Sequence, residues 1–273
     1  MSRALVLGGG GVAGIGWEAG LATGLREAGL DLGEADLIVG TSAGSVVGAM
    51  IAQGADLRSL VGRVAEAEAS AAPAEVDMEK VMTAFMIMYD RTLERAEARR
   101  RIGELALQVT GDGSRLGQIA ERLPSHEWPD TPLLITTVDA EDGSFQVWEA
   151  ASGIPLPLAV ASSCCVPCVF PPVEINGRRY IDGGVNSISN ADLAAGHDRV
   201  VIIEPMAHLT PRSVLAAEVA RLEGARTVAL GPDQPAVEAF GTDVLDPGLW
   251  LPAFEAGLVQ APDVVEQVAE VWK

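Results

Sequence analysis

The stretch Ile38-Val39-Gly40-Thr41-Ser42-Ala43-Gly44-Ser45 limits what this chain can fold into more than any other: a short apolar run ends in Gly-x-Ser-x-Gly and a helical pattern starts at once. A strand that becomes a helix within one residue leaves its serine on a strained turn, and flanking glycines let neighbouring backbones close around it. Ser42 is therefore the candidate nucleophile. The helix behind it would aim N–H groups and the positive end of its dipole at charge developing beside the hydroxyl. The same pentapeptide also reads as an ordinary small-residue turn, and only its setting between strand and helix favours chemistry.

A second glycine loop stands at the start of the chain. Arg3 to Leu7 reads as a buried strand, runs into Gly8 through Gly14, and gives way to a helical pattern from Ile15 to about Ala28. Gly9-x-Gly11-x-x-Gly14 fits the dinucleotide fingerprint, which needs an acidic residue at the end of the second strand to hold a ribose. Here that strand, Leu37 to Val39, runs into the elbow, while Asp31, Glu34 and Asp36 precede it and read as caps or loop residues. The glycines are read instead as N–H donors of an oxyanion hole beside Ser42. A nucleotide-binding module that does not hydrolyse anything stays open as the rival.

Farther on, Ser42 to Gln53 and Leu57 to Glu68 read as helices, followed by an Ala-rich connection around Pro73. Glu75 to Gln108 reads as one or two helices whose apolar side carries Val81, Met82, Phe85, Met86 and Met88, taken as core filler in preference to a cap for acyl chains. Gly111 to Gly113 break that pattern. Leu133 to Val138 and Phe145 to Trp148 read as strands, Ile154 to Ser163 as a helix, and Val173 to Ile175 with Arg178 to Ile181 as a hairpin around Asn176-Gly177. Val200 to Ile203 and Thr227 to Leu230 are further strands, with a helix from Arg212 to Leu222 between them. Helical patterns from Asp233 to Val244 and Leu249 to Lys273 are interrupted by Pro235, Pro247, Pro252 and Pro262, and place Trp250, Phe254 and Trp272 as core anchors. This order predicts an α/β fold, a three-layer α/β/α sandwich on a central, mostly parallel sheet, with residues 1–273 as one domain.

A serine hydroxyl needs a base within reach, and the hairpin ends in Asp182-Gly183-Gly184. Asp182 is either presented at the sheet edge that carries Ser42 or a turn residue capping local N–H groups. The chain has only His126, His197 and His208, so a serine, acid, histidine order is formally available. The spacing disfavours it. Ser42 follows only the second strand, His197-Asp198 reads as a polar connection, and His208 lies in a Pro-flanked loop.

Taken in order, Gly9 to Gly14, Gly40 to Gly44 and Asp182 to Gly184 resemble the patatin-like phospholipase family, in which the same motifs occupy the same settings. The resemblance extends to Ala161-Ser162-Ser163-x-x-Val166-Pro167-x-x-Phe170-Pro171-Pro172 and to Asn176 through Ile181, and spans about residues 4–204. It implies a serine–aspartate dyad in place of a triad: Ser42 as nucleophile, Asp182 as general base, the Gly9, Gly10 and Gly11 backbone as oxyanion donors, and Gly14, Gly40, Gly44, Gly183 and Gly184 as supports. It further implies hydrolysis of lipid or lipid-like carboxylic esters through an acyl-enzyme, with no cofactor and no metal, an acyltransferase on the same dyad being the alternative. One position departs: many relatives carry Arg or Lys where this chain has Ala13.

Charge and cysteine usage narrow the partners. A formal charge of −19 opposes nucleic acid and lasting adhesion to anionic membranes, leaving transient contact with lipid aggregates. Cys164, Cys165 and Cys168 are too local to staple distant segments and read as small buried thiols of a reducing compartment. Glu18 and the glycines interrupt what would otherwise resemble a signal peptide, so a soluble, cytoplasmic protein is expected.

Overall fold

In the computed structural model, which describes residues 1–68, 76–111, 117 and 123–273, every described strand joins one sheet. Strands β1 (Arg3–Leu7), β2 (Leu37–Gly40) and β7 (Arg199–Ile203) are buried almost throughout, the condition under which strands read as continuous apolar runs. With β3 (Leu133–Asp139), β4 (Phe145–Trp148), β5 (Val173–Ile175), β6 (Arg178–Asp182) and β8 (Arg226–Leu230), they are ordered β5-β6-β3-β2-β1-β7-β8, and β4 also pairs with β3. The β3-β2-β1-β7-β8 core is parallel; β4 and β6 join β3, and β5 joins β6, in the antiparallel sense.

Alternation along these strands sends residues to two unequal layers. Leu5, Leu7, Ile38, Val201 and Ile203 face the larger core. Helices α1 (Gly11–Glu27), α2 (Ala43–Ala52), α3 (Leu57–Glu68), α4 (Met78–Met88), α5 (Arg95–Ala106) and α6 (Leu156–Ser163) all contribute residues to it or pack against it. Ala4, Val6, Val39, Val200 and Ile202 face the opposite layer, covered by Ala191 and Ala194, Leu215 of α7 (Arg212–Val219), and Leu222. The expected sandwich is present, with one thick face and one thin one. Beyond α7 follow α8 (Gln234–Phe240) and α9 (Trp250–Trp272).

The helix pair α1 and α9 accounts for much of the glycine in the first helix. A Cβ on Gly20 would stand 1.9 Å from the Phe254 carbonyl oxygen, and one on Gly257 2.2 Å from that of Trp17, so the two backbones touch without side chains between them. The Trp17 indole donates to Gln260 at 2.9 Å across the same interface. This packing corrects the expected interruptions: Pro252 and Pro262 both lie within one continuous α9. Pro252 occupies the first turn, where an N–H has no partner to lose; the interior Pro262, which costs about 3 kcal/mol in an isolated helix, is overridden by the buried face around it. Trp250, Phe254 and Trp272 are each buried, as expected of anchors.

Of the α4 stripe expected to fill the core, Val81 and Met88 pack against it, but Met82 and Met86 do not. Met78, Met82 and Met86 are exposed, and Ala84 is that helix's one buried residue. Periodicity revealed an apolar stripe and nothing about whether another element covers it. The connection around Pro73 and, past Gly111, the rest of the break at Asp112 and Gly113 lie outside the described residues.

Glu18 sits fully buried on α1, and neither carboxylate oxygen holds a hydrogen bond to any described residue, the nearby Gly8 N–H being given to the Ile203 carbonyl at 2.9 Å. Burial pushes its pKa well above 4.5, the Gly8 N–H opposing only in part. The folded state therefore keeps a proton that the unfolded chain releases, so stability falls as pH rises from about 4.5 toward the folded pKa. Glu18→Gln is expected to raise Tm, with a gap over the parent that is smallest near pH 4 and widens toward neutrality. Thermal unfolding across pH measures it, and a gap that does not depend on pH would contradict it.

Candidate active site

Ser42 adopts φ 53° and ψ −117°, a backbone region costly to a residue with a Cβ, between the end of β2 and the first residue of α2. Four hydrogen bonds hold it there. Its N–H donates to the Ser163 hydroxyl at 2.9 Å; its carbonyl accepts the Ser45 hydroxyl at 2.7 Å, the Ser45 N–H at 2.9 Å and the Cys164 thiol at 3.3 Å. Gly44 seats the elbow on β1: its N–H donates to the Gly8 carbonyl at 3.0 Å, and an added Cβ would lie 2.1 Å from the Leu7 carbonyl oxygen. Gly44→Ala must force two backbones apart, so we expect a loss of about 1–3 kcal/mol or more, read as a lowered Tm or loss of soluble protein. An unchanged Tm would show that the two segments are not packed this way.

The other half of the site arrives from the opposite strand direction. Asp182 ends β6 opposite Thr137 of β3, and its carboxylate accepts the Gly184 N–H at 2.7 Å. Gly183 presses on Thr136, whose hydroxyl oxygen would be 2.2 Å from an added Cβ. Thr136 and Thr41 share a hydrogen bond of 2.8 Å, and the Asn190 amide donates to Thr41 at 3.0 Å and to the Ser187 carbonyl at 2.6 Å. That network ties the elbow to the Asp-Gly-Gly turn, and neither Thr136 nor Asn190 belongs to a motif the sequence makes visible.

Ser42 and Asp182 are brought together: the serine side chain lies near enough to the carboxylate to lower its pKa. Asp182 is buried, and burial raises its pKa from 3.8 to about 6, opposed by the nearby Ser42 side chain and by the bond from the Gly184 N–H. A carboxylate with that proton affinity is ionised at neutral pH and still able to take up a proton, the property required of a general base.

Helix α1 begins at Gly11, four residues before the side-chain pattern announces it, so its N-terminus as well as that of α2 converges here. Gly14 packs against Ala43, where an added Cβ would stand 3.1 Å from the alanine methyl. Of the three N–H donors expected from the loop, Gly9 is corrected: its N–H is spent on the Ile188 carbonyl at 2.8 Å. The Gly10 and Gly11 N–H groups, and that of Ala43 after the serine, give no hydrogen bond to any described residue. The loop is closed from outside, since added Cβ atoms would meet Pro205 at 2.6 Å from Gly10 and the Val244 carbonyl at 2.7 Å from Gly11. Ala13 is fully buried with its N–H on Val244, so the C-terminal segment braces the loop.

The histidines lie elsewhere. Gln53, capping the far end of α2 from Ser42, donates to the carbonyls of Ser125 and Glu127 at 3.0 and 3.1 Å, which places His126 about 15 Å away along the helix. His197 precedes β7 at the opposite edge of the sheet, beside Asp198, whose N–H bonds Ser2. His208 is exposed in the loop after β7. The three thiols are free and buried, and burial raises the Cys164 pKa to about 12.

The sequence matches the Patatin-like phospholipase family over residues 5–195. No curated protein matches it. Among solved structures it is similar to VipD from Legionella pneumophila, with 14% identity and a TM-score of 0.47 over 97% of this chain and 66% of that one. It is also similar to the type III effector protein ExoU, with 16% identity and a TM-score of 0.35 over 96% of this chain and 53% of that one. The chain thus spans just under two thirds of the first and about half of the second. At those scores the assignment rests on the family match and on the fold described above.

Proposed function

The chain belongs to the patatin-like phospholipase family, and from that premise we propose that it hydrolyses carboxylic esters of lipids or lipid-like molecules through Ser42 and Asp182. One observation carries the reading: a serine held in a strained backbone conformation between two helix N-termini has its side chain beside a buried aspartate of pKa about 6.

Asp182 takes the Ser42 proton as Oγ bonds the ester carbonyl carbon, and the carbonyl oxygen becomes an oxyanion. The open N–H groups of Gly10, Gly11 and Ala43 are the donors available to it, and each such donor is worth about 10²–10³ in rate. Collapse breaks the bond to the alcohol, which leaves with the proton from Asp182. Water then gives a proton to Asp182 as its oxygen attacks the acyl-serine; the acid departs and Ser42 recovers its hydrogen. Burial serves this cycle, because an exposed aspartate near 3.8 would be too weak a base.

Fluorophosphonate labelling with mass-spectrometric site mapping tests the assignment. We expect one adduct, on Ser42. A folded chain that takes no label there and turns over no ester would refute it.

A further inference from the structure

A cavity of about 330 Å³ opens beside the site, at the lower end of the ~300–1,000 Å³ usual for small-ligand pockets. Its walls are the end of α4 with the turn after it, the start of α5, the segment 185–189 that follows Asp182-Gly183-Gly184, and residues 210–215. Ile188 connects it to the serine. Its carbonyl takes the Gly9 N–H at 2.8 Å, and the point where a Gly9 Cβ would lie is 3.9 Å from the Ile188 Cδ1 and 3.5 Å from the Ser42 Cβ. Ile188 thus lines the cavity and also packs beside the Gly9 loop that Ser42 adjoins.

The charges facing this cavity are arranged for an anion. Arg95 and Arg99 stand four apart in the first turns of α5, where like charges repel and the positive end of the helix dipole repels both. Neither has a carboxylate within ion-pairing distance among the described residues. Arg95 donates to the Asn186 carbonyl; Arg99 donates to the Asn186 side-chain oxygen at 2.8 Å and the Gly143 carbonyl at 2.7 Å. The contrast lies on the same helix, where Arg100 and Arg101 pair with Glu97, and Arg100 also with Glu104. Burial and the neighbouring Arg95 charge both lower the Arg99 pKa, the mark of a cation lacking its counter-ion. Two carboxylates also face the cavity and are already engaged: Glu204 pairs with Arg212 at 2.7 Å, and Asp90 accepts the Thr92 N–H and hydroxyl at 2.8 and 2.6 Å. Arg91 adds a third cation on the rim, where it donates to the Ser213 hydroxyl at 3.4 Å.

We propose that Arg95 and Arg99 form a subsite for a phosphate group, so that the ester cleaved at Ser42 is one whose alcohol part carries a phosphate. The proposal rests on the hydrolase reading above and adds to it the residues that select the substrate. Arg95 and Arg99 bind the phosphate while Asn186 fixes their planes, and the alcohol side of the ester lies past Ile188.

Calorimetric titration of glycerol 3-phosphate and of inorganic phosphate tests binding in the parent chain, in Arg95→Gln/Arg99→Gln and in Arg95→Lys/Arg99→Lys. In parallel, kcat/KM is compared for lysophosphatidic acid and for a monoacylglycerol with the same acyl chain. We expect the parent to bind glycerol 3-phosphate, the glutamine pair to bind it at least tenfold more weakly, and the lysine pair to fall between. The preference for the phosphate-bearing ester should fall at least tenfold in the glutamine pair. Inorganic phosphate bound as tightly as glycerol 3-phosphate would support the subsite and identify free phosphate as its occupant. No binding of either anion by the parent, or both esters slowed by one common factor, would overturn the proposal and leave the arginines as staples between α5 and Asn186. Should the glutamine pair not fold, binding retained in the lysine pair supports the subsite, and its absence from a folded parent overturns it. Anion binding without Ser42-dependent turnover keeps the subsite and defeats the hydrolase reading; turnover without anion binding does the reverse.

Discussion

Ser42→Ala is expected to lower ester turnover by about 10⁴-fold or more while leaving the chain folded, because removing the nucleophile of a hydrolytic site removes nearly all its rate enhancement. The backbone bonds that hold the elbow come from the Ser42 N–H and carbonyl, not its hydroxyl, so alanine keeps them. Ser42→Gly separates chemistry from stability more sharply. Glycine adopts φ 53° without a Cβ clash, so this variant should be as inactive as alanine and more stable by about 1 kcal/mol. Steady-state ester assays and thermal unfolding of both variants check the pair, and retained turnover in either would place the nucleophile elsewhere.

Asp182→Asn should cost about 10³–10⁴-fold in kcat and raise Tm at neutral pH, an opposition of signs that a merely structural aspartate would not give. Asparagine keeps an oxygen for the Gly184 N–H and discards a charge that burial disfavours. The folded pKa of about 6 lies above the unfolded 3.8, so ionising Asp182 destabilises the parent as pH rises from about 4 to 6. The full cost, on the order of 3 kcal/mol, is present above that range and absent below it. The variant's gain in Tm should therefore vanish near pH 4 and plateau above about 6. In the parent, kcat/KM should rise with pH through about 6, where the base becomes available. A pH-independent Tm difference, or an acid limb far from 6, would contradict this account of the carboxylate.

Much of this was legible because the signals are local. The elbow needs strand, small residues and helix within a few positions, and the Asn176-Gly177 turn takes φ 53° and 77°, conformations that few other pairs adopt. The start of α1 was hidden for the opposite reason: side-chain periodicity cannot mark a helical turn that opens at Gly11 and contains Gly14. Gly9 was assigned a free N–H because its acceptor, Ile188, lies 179 residues along the chain, a pairing between loops that leaves no period in the sequence. The prolines of α9 misled because local propensity was weighed without the packing of Phe254 and Gly257 onto α1. The arginines of α5 stand in one densely charged stretch, and only their acceptors, Asn186 and Gly143, separate Arg95 and Arg99 from Arg100 and Arg101.

At the centre of the account is proton transfer between a serine and a carboxylate with no imidazole in the path. The most direct measurement is kcat/KM for ester hydrolysis by the variant in which His126, His197 and His208 are all replaced by glutamine. Activity within several-fold of the parent is the predicted result. A fall of about 10³-fold or more in a folded variant, the scale on which loss of a general base is felt, would contradict it.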